Sequence, residues 1–134
     1  MDDTGYHYFI DAKLRSPAIL GDRAALRRLF ECALEGFTVI GFIDHKFGAE
    51  GGVTGIFLLA ESHCSYHTYP ESRYIAIDVF TCGREPTAVT ERLLDSLGCE
   101  SKTVRYNTRG TISLPSSHTA TSGGEASPAA SLSV

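Results

Sequence analysis

Eleven consecutive residues carry an unusual density of reactive groups: Glu61-Ser62-His63-Cys64-Ser65-Tyr66-His67-Thr68-Tyr69-Pro70-Glu71. They include two histidines, two serines, a cysteine and two carboxylates. Hydroxyl and thiol groups are nucleophiles once a base takes their proton, and imidazole is the side chain best matched to that task near neutral pH. A second element, Asp78-Val79-Phe80-Thr81-Cys82-Gly83, ends the next apolar run and adds another thiol. On residue type alone, a zinc site from His63, His67 and Cys64 is one reading, and a Cys-His nucleophilic pair using Cys64 or Cys82 is another. Ligands four apart converge on a helix face, whereas on a strand residues i and i+2 share a side. Pro70 and the β-rich flanks argue against a helix, so no metal is expected. The spacing says nothing specific for the Cys-His pair.

These groups need elements that hold them still. Residues 6–11 read as a strand, followed by the Ser16-Pro17 and Gly21-Asp22 loop signals. A helix is predicted over about 22–35: Ala25, Leu26, Leu29, Phe30, Ala33 and Leu34 recur at helical spacing, Asp22 suits the N-cap and Gly36 the stop. Residues 37–43 form a β-type run, and Gly48–Gly55 is glycine-rich. Residues 56–60 are a near-continuous apolar strand. Residues 61–73 read as a polar segment and 74–81 as another strong strand. A second helix begins near Pro86, uses Val89, Leu93, Leu94 and Leu97, and stops at Gly98. Residues 102–106 form a short last strand. The order β-α-β-β-β-α-β implies an α+β fold, a two-layer sandwich of an antiparallel sheet with two helices on one face. The other face then needs a cover, and a second copy of the chain would supply one.

The 134 residues suffice for a single domain, and 43% of them are hydrophobic, enough for a packed core without staples. The net charge of −4 argues against a nucleic-acid binder. No apolar run approaches a membrane span, and the acidic start Met1-Asp2-Asp3 lacks a signal-peptide core, so a cytoplasmic location is expected. Cys32, Cys64, Cys82 and Cys99 form no CxxC pair and are expected as free thiols. From residue 108 the chain is dominated by Ser, Thr, Ala and Gly, which predicts a domain over 1–107 and a disordered tail over 108–134.

Several ordered motifs together resemble the prokaryotic S-adenosylmethionine decarboxylase family. They are Leu59-Ala60-Glu61-Ser62-His63, then His67-Thr68-Tyr69-Pro70-Glu71, then Asp78-Val79-Phe80-Thr81-Cys82-Gly83. Upstream, Gly5-x-His7, His45-x-Phe47 and Gly52-Val53-Thr54-Gly55 are similar to other motifs of that family. The resemblance covers about residues 5–105. Three features depart from it: Tyr69 stands where Trp is common, Thr54 where Ser is frequent, and residues 63–66 are more polar than usual.

The resemblance implies a proenzyme that makes its cofactor from its own backbone. The Ser62 hydroxyl would attack the Glu61 carbonyl, and the chain would split into a β chain (1–61) and an α chain (62–134) headed by a pyruvoyl group. Thr54 would support that processing and His67 would take the Cα proton. The pyruvoyl carbonyl would form a Schiff base with the substrate amine and accept the electrons released by loss of CO2. Cys82 would be the proton donor. Phe47 and Tyr69 would hold the adenine or approach the sulfonium, and Glu71 would bind the ribose hydroxyls. The implied substrate is S-adenosylmethionine, decarboxylated to an aminopropyl donor for polyamine synthesis, and the implied assembly is a homodimer. Two alternatives keep the fold: a pyruvoyl-dependent arginine or ornithine decarboxylase, and a non-processing regulatory homologue.

Overall fold

Alternation of side chains decides the sheet. In a computed structural model, residues 3–115 are described. The elements run β1 (Gly5–Leu14), α1 (Arg23–Ala33), β2 (Val39–Lys46), β3 (Val53–Leu59), β4 (Ser62–Tyr69), β5 (Tyr74–Cys82), α2 (Thr87–Leu97) and β6 (Cys99–Arg109), with short 3-10 turns at Ala18–Gly21, Pro70–Ser72 and Thr111–Ser113. Six strands form one sheet in the order β2-β3-β4-β5-β1-β6. Every neighbouring pair is antiparallel.

One face of this sheet is the core. Ile10, Ala12 and Leu14 of β1, Val53, Phe57 and Leu59 of β3, and Ile75, Ile77 and Val79 of β5 alternate inward and are buried. The helices close over them with Leu26, Phe30 and Ala33 of α1 and Val89, Leu93 and Leu97 of α2. α1 starts where Asp22 accepts the Ala25 amide at 3.0 Å, a cap contributing about 1 kcal/mol. α2 ends at Gly98, whose φ of 69° is left-handed backbone that glycine adopts without a Cβ clash. The expected sandwich, with both helices on one face, is what forms.

Two elements differ from the sequence reading. The polar segment at 61–73 contains a full strand, β4, in the middle of the sheet. Its even residues Ser62, Cys64, Tyr66 and Thr68 are buried among the core side chains, so the period of two is present but written in polar residue types. The last strand is also far longer than 102–106. β6 pairs with β1 from Leu14↔Cys99 to Gly5↔Arg109, and this ladder sustains a strand that its exposed, polar residues do not announce. It therefore enters the segment assigned by composition to the tail, of which residues 116–134 lie outside the described residues.

Tyr66 sits at the tightest point of the core. Its ring stacks on Phe30 with centroids 4.3 Å apart, and a Cβ on Gly55, its partner across β3, would fall 2.3 Å from Tyr66 Cζ. Its buried hydroxyl has no hydrogen-bond partner among the described residues. Gly55→Ala should therefore lower stability by about 2 kcal/mol through overpacking. Tyr66→Phe should match or exceed the wild type by up to about 1 kcal/mol, and should recover part of the Gly55→Ala loss. Urea-unfolding midpoints of the two single variants and the double variant check this.

Candidate active site

The second face of the sheet carries most of the reactive groups, and no helix among the described residues covers it. Strand register sorts them into rows. His45, Thr54, His67, Ala76 and Asp11 form one row across β2, β3, β4, β5 and β1. Ile43, Ile56, Ser65, Asp78 and Phe9 form the next, and Leu58, His63, Phe80 and His7 the third. Ile43, Ile56, Leu58 and Phe9 are exposed, so this face shows an apolar band between its polar ends.

At one end lie Cys82, on this face, and Ser62, whose side chain points to the helix side in phase with Leu59 and Cys64. Ser62 follows a two-residue turn, Ala60-Glu61, that joins β3 to β4 through the Leu59↔Ser62 pair. Ser62 is buried, and its hydroxyl donates to the Ala60 carbonyl at 3.3 Å. Cys82 is half-buried and ends β5 opposite Gly5. The bend beyond it is tied down: the Gly83 amide donates to the Thr4 carbonyl at 3.0 Å, the Thr81 hydroxyl donates to the Arg84 carbonyl, and the Arg84 guanidinium lies 4.7 Å over the Phe37 ring. Cys64, by contrast, is fully buried on the helix side, and burial pushes its thiol well up, away from nucleophilic use. His63 and Cys64 point to opposite faces, and among the described residues no group of three or more His, Cys, Asp or Glu is placed to hold a metal.

At the other end Thr54 and His67 meet, Thr54 Oγ1 lying 2.9 Å from His67 Nδ1 across the β3–β4 pair. One step further, the Phe47 amide donates to the Gly52 carbonyl at 2.9 Å, and Tyr69 pairs with Tyr74. Phe47 and Tyr69 are exposed. His45 stands edge-on to Phe47 at 4.6 Å, and Tyr69 stacks on Tyr74 at 5.3 Å. Glu71 lies exposed on the turn after β4.

The structure thus gathers Ser62, Glu61 and Cys82 at one end and Thr54, His67, Phe47, Tyr69 and Glu71 at the other. Five residues of strand separate Ser62 from His67, roughly 16 Å. The β4–β5 register, which runs to His63↔Phe80, brings the end of β5 and Cys82 to the Ser62 end of β4, away from His67. Motif reading did not single out the cluster between the ends. His7 stacks on Phe9 at 4.1 Å, meets His63 edge-on at 6.2 Å and lies 5.4 Å from Phe80, with Asp78 Oδ1 3.6 Å from its Nε2. The signal was available in the alternation of β1 and β5, which puts His7 and Phe80 in one row.

Comparison with known proteins fits this geometry. The family model described as S-adenosylmethionine decarboxylase matches residues 6–110. A proenzyme of that name from Prochlorococcus marinus (strain MIT 9313) is 40% identical over 111 residues, covering 80% of this chain and 88% of its own. One from Pyrococcus abyssi (strain GE5 / Orsay) is 36% identical over 114 residues, covering 82% and 81%. The crystal structure of the adenosylmethionine decarboxylase from Aquifex aeolicus VF5 superposes with a TM-score of 0.76 at 27% identity, covering 87% of this chain and 98% of that one. The fold and site define a two-layer α+β protein with most of its reactive groups on the sheet face away from the helices. The chain belongs to the S-adenosylmethionine decarboxylase family. No helix among the described residues is long and apolar enough to cross a membrane.

The His63 environment gives a pH prediction. Partial burial, then the neighbouring His7, holds the His63 imidazole below its ordinary value of 6.5, with Asp78 opposing. The folded chain therefore binds this proton less readily than the unfolded chain. Its contribution to stability is complete above about pH 6.5 and is lost as the pH falls through and below that value. The urea midpoint should drop between about pH 7 and pH 5, and His63→Gln should flatten that slope.

Proposed function

We propose that this chain is the precursor of an S-adenosylmethionine decarboxylase that cuts itself between Glu61 and Ser62 and works as a symmetric pair of chains. The observation that supports it most is family membership together with an intact reactive set. Ser62 stands at a tight turn, Thr54 and His67 are bonded across two strands, and Cys82 is held at the end of β5.

The chemistry follows from the residue types. The Ser62 hydroxyl attacks the Glu61 carbonyl carbon and converts the peptide bond to an ester. His67, oriented by Thr54, takes the Ser62 Cα proton, and elimination frees the Glu61 carboxylate and leaves dehydroalanine at residue 62; its amine, as the imine tautomer, takes up water and leaves as ammonia. A pyruvoyl group at residue 62 fits this place, because serine supplies the hydroxyl, the removable Cα proton beside it and the three-carbon skeleton of pyruvate, whereas threonine would leave a four-carbon group. Such a group supplies a carbonyl that condenses with the substrate amine and draws off the electrons left by carbon dioxide. Cys82 Sγ holds the proton that the substrate carbon takes up. Phe47 and Tyr69 are exposed rings near one another at this end of the sheet and take the planar base, each ring contact contributing about 0.5–2 kcal/mol. Glu71 accepts hydrogen bonds from sugar hydroxyls.

A separation of roughly 16 Å forbids proton transfer between His67 and Ser62 of one chain. A two-fold axis lying between two facing sheets and crossing β4 near its middle sets His67 of one copy over Ser62 of the other. The same operation covers Ile43, Ile56, Leu58 and Phe9, which are otherwise exposed. Phe47, Tyr69 and Glu71 then serve the partner's Ser62 and Cys82. The names of the relatives favour S-adenosylmethionine over arginine or ornithine.

Denaturing mass measurement should show the wild type as two fragments, one ending at Glu61 and one beginning with a blocked residue 62. Ser62→Ala should stay a single chain of the full 14.5 kDa. Carbon dioxide should be released from carboxyl-labelled S-adenosylmethionine and not from arginine or ornithine; release from arginine or ornithine alone would overturn the substrate. The shared site is tested by coexpression. Ser62→Ala and His67→Ala chains should each be inactive, and together they should recover roughly a quarter of wild-type activity through mixed pairs with one whole site. No recovery in purified mixed pairs would place each site within one chain.

A further inference from the structure

Among the described residues, two that are not glycine have left-handed backbone: Glu61 with φ 61° and Arg73 with φ 56°. This conformation crowds Cβ against the backbone and is disfavoured for any residue with a side chain. At Arg73 the cause is visible. Its guanidinium donates to the Leu14 carbonyl at 3.1 Å and to Glu100 at 3.0 Å, and its amide donates to the Pro70 carbonyl at 3.1 Å. Glu61 has no such anchor. Its side chain is exposed and joins no hydrogen bond or ion pair among the described residues.

The hairpin is what holds Glu61. The Leu59↔Ser62 pair leaves only Ala60 and Glu61 to reverse the chain, and the Ala60 amide is fixed on the Thr38 carbonyl at 3.1 Å. A positive φ at the second residue of such a turn favours glycine or asparagine. This chain has a glutamate there, immediately before the bond proposed to be cut. The Ser62 hydroxyl also turns back across Glu61 to reach the Ala60 carbonyl at 3.3 Å.

We infer that the left-handed backbone of Glu61 is a positioning device for self-cleavage, strained in the closed hairpin and released as the 61–62 peptide bond rearranges. The inference rests on the reading that the chain cuts itself there. In the rearrangement a bond forms from Ser62 Oγ to the Glu61 carbonyl carbon and the bond from that carbon to the Ser62 nitrogen breaks. The hydroxyl proton ends on the nitrogen, which becomes a free amine. An amide is more stable than the ester it becomes, so this step runs uphill. Once the amide is broken the turn no longer constrains residue 61, its φ relaxes, and the strain is relieved in the step that needs the help. The backbone of Glu61 acts here, and its carboxylate does not.

Glycine occupies the left-handed region without strain. Glu61→Gly should therefore cut itself roughly fivefold or more slowly than the wild type, followed by fragment masses over time. Glu61→Gln keeps a Cβ on the same backbone and should cut at least about threefold faster than Glu61→Gly. In the uncut Ser62→Ala background, adding Glu61→Gly should raise Tm by about 3 °C, a readout of the strain that does not depend on cleavage. Equal cleavage by Glu61→Gly and wild type overturns the inference, as does a Tm that stays level or falls. Glu61→Gln as slow as Glu61→Gly overturns it too, by moving the effect to the carboxylate. A wild-type chain that stays whole overturns the self-cleavage reading itself, and the inference with it.

Discussion

The register of the β3–β4 hairpin is the constraint on which the rest depends. Leu59 opposite Ser62 and Thr54 opposite His67 are the two ends of one ladder. A slip by one residue would turn Tyr66 and Cys64 out of the core and bring His63, Ser65 and His67 into it. The core forbids that exchange, because Tyr66 fills the space left by Gly55 and stacks on Phe30. Ordinary packing under the helices thus fixes the positions of Thr54, His63 and His67 on the opposite face.

The central placement of β4 follows from the same economy of edges. Flanked by β3 and β5, its backbone groups are paired on both sides, so a strand of mostly polar residues is rigid. Reactive side chains then gain fixed positions from neighbours rather than from their own packing. The edges are treated differently. β6 is exposed along its length and carries Lys102, Arg105 and Arg109, charges that discourage pairing with a further strand.

The open face joins fold to function. The described residues hold two α-helices, enough to cover one side of six strands. The other side keeps apolar residues between two polar ends. In the proposed pair of chains one surface answers two needs, burial of that band and completion of the site. Assembly and catalysis then become a single thermodynamic event, and an isolated chain would hold two half-sites.

The sequence by itself determined the helices, the apolar strands and the motifs. Each is a local pattern: the heptad-like spacing and Asp22 cap of α1, the Gly98 stop of α2, and the run of reactive types from Glu61 to Glu71. It did not show that β4 is a strand, because its inward residues include serine, cysteine and threonine, whose burial depends on partners elsewhere in the chain. Nor did it show the length of β6, which comes from pairing with a strand some ninety residues earlier. Only the tertiary structure decided that Ser62 and His67, close in sequence, stand at opposite ends of a strand. An extended backbone advances about 3.3 Å per residue, so five residues of strand carry a side chain beyond any hydrogen bond.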